Sequence, residues 1–539
     1  MELKVYTREP DEAAYPAGLA YSVHMACRTE GGEFRPWNKN YGILFAEAQI
    51  REDDTLLTKA VREPRIFAMD DGSYGIAARS VLENGDEDHD SRDKVLLWKT
   101  KDFITFTYEG LVGVLQSGWE QASDCITAGA KILEQAIEYW TPVHNVRITV
   151  PDQVEVNSEE EVDLIRAAAW YSDGSEVSKK VVWDKADIDF TAEGSHMIEG
   201  SVVDESFPFP LAVGYGDPVI FPWEGKWYYI STNDNTDDIG LYVREADSVR
   251  ELFLEGVTEH LILAKDEARE LIQTFWAPEF HVIGDELYLL FAVSGHVWGP
   301  QCHMMRLKKG APITEAASWE DPVRVTKADG SFLTEEGITL DMTYLKTDRC
   351  SYVVWSYRKH IGTALDTGSM LYIATIDDRE PWKLTSEPVL LSRPLLGWEN
   401  VAGTINNEGP YAFVRDGKVC LTYSGGSANS YTYVLGLLTA RAKDDLLQTA
   451  SWEKRCAQVL SFYSVEGEYG PGHNSFYVNE EGELMIAYHA ETALDRTIRC
   501  DGIRRVHFRH NGMPEFGMSA AEDLNPLLQK VRTQIVIKK

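Results

Sequence analysis

Five times between Asp217 and His473 the chain repeats one short phrase. A polar or ionisable residue opens an apolar strand, a tight turn follows, and an aromatic-rich strand returns. The openings read Gly216-Asp217-Pro-Val-Ile-Phe, Trp276-Ala-Pro-Glu279-Phe, Leu340-Asp341-Met-Thr-Tyr, Glu408-Gly-Pro-Tyr and Gly472-His473-Asn-Ser-Phe. The returns read Lys226-Trp-Tyr-Tyr-Ile, Glu286-Leu-Tyr-Leu-Leu-Phe, Ser351-Tyr-Val-Val-Trp, Lys418-Val-Cys-Leu-Thr-Tyr and Glu483-Leu-Met-Ile-Ala-Tyr. Paired strands at a period of about 65 residues predict radially arranged sheets, and a β-propeller fits best. In a propeller the first strand of each blade lies nearest the axis, so equivalent positions converge. An ionisable group inside an apolar strand is costly unless it is paired or useful. Four carboxylic acids and a histidine at one place in five repeats therefore mark the axis as the site of function.

The rest of the composition narrows what that function can be. Lys and Arg number 52 against 86 Asp and Glu, a net charge of −34. Such a field repels phosphate backbones and anionic lipid, which argues against nucleic-acid and membrane-surface partners and is compatible with a neutral substrate. The N-terminus lacks a charged-then-apolar export pattern, and no apolar run is long enough to span a bilayer. Seven dispersed cysteines without a CxxC pair read as reduced thiols rather than a disulfide frame or zinc site. Together these features lead to the expectation of a cytoplasmic protein. Oligomeric state is not legible.

Three regions follow from the patterning. Residues 206–520 carry the five repeats. Residues 143–205 contain short alternating strands, such as Val146-Arg-Ile-Thr-Val and Val181-Val-Trp, separated by Asp-Gly and Glu-Gly turns. They are expected to form a small Ig-like β-sandwich, completed by the alternating strand within 529–539. Residues 1–142 read as an accessory β domain. It holds a faded copy of the repeat at Arg62-Glu63-Pro-Arg-Ile-Phe, outer strands at Lys94–Trp98 and Phe103–Tyr108, and helical spacing over Cys125–Trp140. Glu63 is expected to be structural, because its neighbours do not complete a second site.

Cleavage of a glycosidic bond needs two carboxyl groups in different protonation states, one donating a proton and the other activating water or attacking the sugar. A third charge nearby can keep the donor protonated near neutrality. Most Asp and Glu in so acidic a chain are solvated surface groups. Recurrence inside apolar strands sets the axial acids apart.

The phrases Gly216-Asp217-Pro-Val-Ile, Trp276-Ala-Pro-Glu279, Thr339-Leu-Asp341, Asn407-Glu408-Gly-Pro-Tyr and Tyr469-Gly-Pro-Gly-His473-Asn-Ser-Phe resemble those of glycoside hydrolase family 43, in the same order and at similar spacing. Within it, Trp398-Glu-Asn, Leu421-Thr-Tyr-Ser-Gly and the stretch Tyr431 to Ala440 are similar to α-L-arabinofuranosidase members. The resemblance implies an all-β protein with a five-bladed β-propeller, in agreement with the repeat count, and an inverting mechanism. It implies that Asp217 is the general base, Asp341 the carboxylate that tunes and orients the acid, and Glu408 the general acid. It places His473 at the propeller centre, near a structural calcium ion or a water cluster; a satisfied core histidine is the other reading. No cofactor is required for the chemistry.

Substrate contacts are expected from Trp276 and Phe275, whose rings can stack on a sugar or pack in the core. Glu279 is expected to orient. Arg496 and Arg499 can bond sugar hydroxyls or lie on the surface. Trp298, in the loop His296–Pro300, and the tip Thr232–Asp238 border the mouth. The expected activity is exo-hydrolysis of α-L-arabinofuranosyl residues from neutral oligosaccharides. A β-D-xylosidase or exo-galactanase uses the same chemistry, and a propeller that binds sugar without cleaving it is the reading from another class. A sucrose- or fructan-processing propeller is disfavoured because its Asn-Asp-Pro opening is not found.

Overall fold

The computed structural model describes every residue except Glu12, Ala13, Thr404 and Lys539. The chain divides into two compact units. One comprises Met1–Thr141, Phe209–Tyr477 and Ala487–Gly502; the other comprises Pro142–Pro208, Val478–Ile486 and Ile503–Lys539.

The five repeats form five antiparallel four-stranded sheets, the blades of a five-bladed β-propeller. Their innermost strands are Tyr215–Trp223, Gln273–Ile283, Ile338–Lys346, Asn407–Arg415 and Tyr469–Val478. The turns follow from residues that tolerate a left-handed backbone. Glu224-Gly225 and Asp416-Gly417 have positive φ at both positions, the two-residue geometry that matches strand twist. Between blades, side chains on facing sheets interlock. Ile230, Val243, Leu289 and Phe291 pack between the first two, and Leu290, Met304, Val353 and Trp355 between the next two. The ring is closed by a two-residue strand, Ala212–Val213, which precedes the first blade and pairs with Asp501 and Cys500 of the fifth.

Each of the first four innermost strands carries a β-bulge near its start: between Gly216 and Val219, Trp276 and Glu279, Leu340 and Thr343, and Glu408 and Tyr411. A residue with positive φ sits in each bulge: Asp217, Ala277, Asp341 and Gly409, matched by His473 in the fifth strand. A bulge re-aims the side chain beside it. This changes the equivalence expected from sequence. Asp217, Asp341 and His473 do share one position, but its other occupants are Ala277 and Gly409. Glu408 comes one residue before that position and Glu279 two residues after it.

Met1–Thr141 falls in the same compact unit as the propeller rather than apart from it. Tyr15, Leu19, Ala20 and Phe45 share a core with Leu345, Tyr352, Trp398, Leu421 and Tyr423 of the third and fourth blades. The segment contains a four-stranded sheet, Lys59–Ala68, Tyr74–Leu82, Lys94–Thr100 and Thr107–Gly113. It repeats the bulge between Arg62 and Arg65, with Glu63 at φ 50° and exposed. Its last strand starts four residues later than the expected Phe103–Tyr108, because Phe103 is in a bend at positive φ with its ring in the core. Within the stretch Cys125–Trp140 expected to be helical, helix covers only Ala130–Trp140, which buries Leu133, Ala136 and Trp140, whereas Cys125–Thr127 is strand.

The second unit contains a six-stranded sheet in the order Asn145–Thr149, Ala167–Tyr171, Glu176–Trp183, Gly194–Val203, Lys530–Ile537, Gln153–Val156. The last strand of the chain runs antiparallel to Gly194–Val203 and parallel to Gln153–Val156. Lys179 is buried there among Asp204, Glu483 and Asp523, and Arg505 pairs with Asp523. Among the described residues no helix is long and apolar enough to cross a membrane.

Candidate active site

The opening of the first blade supplies Asp217, which is buried at 6% exposure. Its Oδ2 accepts a 2.5 Å bond from the Thr232 hydroxyl. Around Oδ1 lie Arg499 Nη1 at 3.0 Å, His473 Nδ1 at 3.1 Å and His489 Nδ1 at 3.3 Å. The Asp217 backbone N–H also lies 3.2 Å from His489 Nδ1. Burial lowers the pKa of His489 to about 4 and also lowers that of His473. Burial alone would raise Asp217. The surrounding His473, Arg499 and His489 outweigh it and hold the carboxyl well below its usual range.

Asp341 and Glu408 are in the opposite condition. Asp341 Oδ2 accepts from the Gly409 N–H at 3.0 Å and from Ser356 at 3.4 Å. Glu408 is half-buried and accepts from the Tyr433 hydroxyl at 3.0 Å. Burial pushes Glu408 up to about 7, the proximity of Asp217 adding to the effect. Burial, then Glu408 and Asp217, push Asp341 well above the ordinary range. Two neighbouring carboxyls in a low-dielectric place cannot both ionise cheaply, so the pair retains a proton near neutrality. One carboxylate held ionised across from a carboxylic acid held protonated is the combination that acid–base hydrolysis of a glycosidic bond requires.

The other expected contacts divide. Trp276 is half-buried and packs against Ala292, Ile338 and Leu340. Phe275 is not a substrate contact: it is fully buried in the core between the first two blades. Glu279 is buried with Oε2 2.6 Å from His281 Nε2, so its partner is a side chain on its own strand. Trp298 is half-buried at the rim, flanked by the His303 ring and by the Arg324 guanidinium 4.9 Å from its centre. Arg496 is exposed, with a 3.4 Å contact to Thr492, and the arginine that enters the site is Arg499, which bridges Asp217 and Asp234.

The surroundings of His473 do not fit calcium. That ion takes about six to eight oxygen ligands, whereas His473 meets one carboxylate oxygen already shared with a guanidinium. Among the described residues no group of three His, Cys, Asp or Glu side chains could hold a metal ion.

Residues 210–514 match the family described as Glycosyl hydrolases family 43. The chain belongs to that family. Across 333 residues this family 43 chain is 32% identical to an extracellular exo-α-(1→5)-L-arabinofuranosidase of Streptomyces avermitilis, over 60% of this chain and 65% of the relative. It thus spans just under two thirds of that relative's length. A second extracellular exo-α-(1→5)-L-arabinofuranosidase, from Streptomyces chartreusis, is 30% identical over 52% of this chain and 81% of its own. The crystal structure of an α-L-arabinofuranosidase from Lactobacillus brevis superposes with a TM-score of 0.50 at 27% identity, covering 59% of this chain and 98% of that one. The relatives' extracellular designation overturns the cytoplasmic expectation.

Thr232, expected at the mouth, bonds Asp217 from the end of a second strand. Two residues of the site were not singled out from the sequence: His489 sits on a second strand, and Tyr433 lies just before a third. The one signal for His489 is a histidine inside the apolar run Met485 to Ala490.

Proposed function

We propose that this family 43 chain is an exo-acting, inverting α-L-arabinofuranosidase that removes terminal arabinofuranosyl residues from α-(1→5)-linked arabino-oligosaccharides. The observation that carries the reaction is the opposed protonation of Asp217 and Glu408 at the propeller axis. The names of the Streptomyces relatives support the sugar and the linkage.

In this reading Asp217, ionised by its cationic and imidazole surroundings, takes a proton from water as the water attacks the anomeric carbon. Glu408 gives its proton to the leaving oxygen. Inversion follows from attack by water on the face opposite the departing group. Asp341 shares a buried environment with Glu408, whose proximity raises the proton affinity of Asp341. Its bond from Gly409 N–H ties it to the residue after the acid. After each turnover the half-exposed Glu408 can regain a proton from solvent.

The test is hydrolysis of 4-nitrophenyl arabinofuranoside, xyloside and galactoside, with α-(1→5)-arabinobiose alongside, by wild type, Asp217→Asn and Glu408→Gln. Arabinofuranoside and arabinobiose should be cleaved by the wild type. Asp217→Asn should lose both by roughly a thousandfold or more, and Glu408→Gln should lose arabinobiose most, since nitrophenolate leaves without a proton. The first-formed sugar should have the inverted anomeric configuration by NMR. Cleavage of the xyloside alone would reassign the sugar, and silence on all four would favour sugar binding without catalysis.

A further inference from the structure

The most deeply buried acid near the site plays no part in that mechanism. Glu399 has 0% exposure and lies nine residues before Glu408. Its Oε1 is 2.6 Å from Lys454 Nζ and accepts bonds from the Tyr423 hydroxyl at 2.8 Å and from Asn407 Nδ2 at 2.9 Å. Its Oε2 accepts from the Leu396 N–H at 2.8 Å. A buried ion pair is a poor source of stability, because desolvation offsets its attraction; a place where one persists invites the question of what it holds.

What it holds is the residue before the acid. The Asn407 carboxamide is bound at both ends, Nδ2 to Glu399 and Oδ1 by the Ser392 hydroxyl at 2.7 Å, with Lys454 Nζ at 3.5 Å. The Asn407 N–H donates to Ser369 O at 2.9 Å. The strand that presents Glu408 is therefore clamped at its first residue, just before the bulge that sets the direction of the acid.

The clamp is itself held by the N-terminal segment. Ala48 N–H donates to Leu395 O at 2.6 Å, Arg393 pairs with Asp54 at 2.7 Å, and Trp398 lies in a common core with Leu19, Ala20 and Phe45. Lys454 reaches back to the same loop through Arg393 O at 2.9 Å.

We propose that Glu399, braced by Lys454, is a positioning residue for the general acid Glu408, and that the N-terminal segment serves catalysis by fixing the loop that carries it. This rests on the acid–base reading above. An acid displaced by about an ångström loses much of its effect on leaving groups that need a proton, where general acid catalysis contributes roughly 10²- to 10⁴-fold, and little on leaving groups that do not.

The experiment compares kcat on α-(1→5)-arabinobiose with kcat on 2,4-dinitrophenyl α-L-arabinofuranoside for wild type, Glu399→Gln and Asn407→Ser, with thermal midpoints as the folding control. The expected result is a loss on arabinobiose at least about tenfold larger than the loss on the aryl glycoside, in both variants, with KM little changed. Asn407→Ser leaves the Glu399–Lys454 pair intact and carries the test if Glu399→Gln does not fold. Equal losses on the two substrates, or no loss on either, would overturn the positioning role. Wild-type inactivity on both would instead overturn the underlying reading of the reaction.

Discussion

At the scale of single residues, the site works by surrounding one carboxyl with donors and two others with each other. Arg499 is the permanent charge in that arrangement, and it bears on Asp217 through Nη1. Arg499→Met should let the Asp217 pKa rise, because the cation that favours its ionised form is gone. The low-pH limb of kcat/KM should then move to higher pH, and Arg499→Lys should return it part of the way. In the proposed mechanism the high-pH limb belongs to Glu408, so activity should fall as pH rises through about 7. A wild-type profile still rising at pH 8 would contradict the assignment of the acid. Asp217, Asp341 and Glu408 stand out in the amino-acid sequence as carboxyls in apolar strands, as Glu279 does, and the roles proposed for the three come from the family resemblance. Arg496 and Arg499 are not separable in that way, for a physical reason: on sequence both are arginines beside a late strand. Only the approach of the fifth blade to the first, with Arg499 beside Asp217 and Asp234, distinguishes them.

At the scale of elements, the bulge in the innermost strand is the device that turns a repeated strand into a site. Strands and turns are readable from alternation and from pairs such as Glu224-Gly225. Bulges are not, because an extra residue changes side-chain phase without changing composition. That is why Glu279 looks equivalent to Asp217 on sequence while Ala277 holds the equivalent place, and why Phe275 faces the core. The bulge also makes a prediction. Gly409 has φ 53°, and a Cβ there would lie 2.8 Å from His473 Cγ. Gly409→Ala should destabilise the protein by about 1–3 kcal/mol, from strain and overpacking together. It should also reduce activity beyond what the loss of folded protein explains, since Glu408 precedes it and its own N–H binds Asp341. Denaturant midpoints and activity per folded molecule measure the two effects separately.

At the scale of the whole molecule, burial has raised an unusual set of acids. Glu408, Asp501, Glu491 and Asp204 all stand near 7. Each binds its proton more tightly folded than unfolded, so its contribution to stability is complete below the unfolded value of about 4 and is lost as pH rises through about 7. Asp217 and Asp523 are lowered and act in the opposite sense, losing their contribution as pH falls below about 4. Buried His24, His303, His489 and His507, lowered to about 3 to 4, oppose the raised acids between about pH 4 and 6.5, so the thermal midpoint should fall most clearly between about pH 6.5 and 7.5; a curve that rises across that interval would contradict the raised values. Deletion of Met1–Thr141 should yield an aggregating or inactive product. It would bare the core face of Leu345, Tyr352 and Trp398 and free the loop that carries Glu399.

The ring closure has a consequence for how the enzyme comes into being. The strand that completes the fifth blade is made just before the first blade, and the groups that keep Asp217 ionised are His473, His489 and Arg499, all made after the other four blades. A polypeptide still on the ribosome and halted at residue 460 already carries Asp217, Glu408 and the strands of four sheets, yet none of the three groups that surround Asp217 Oδ1. The ring cannot close, nor Asp217 meet those three partners, until the fifth blade has been made.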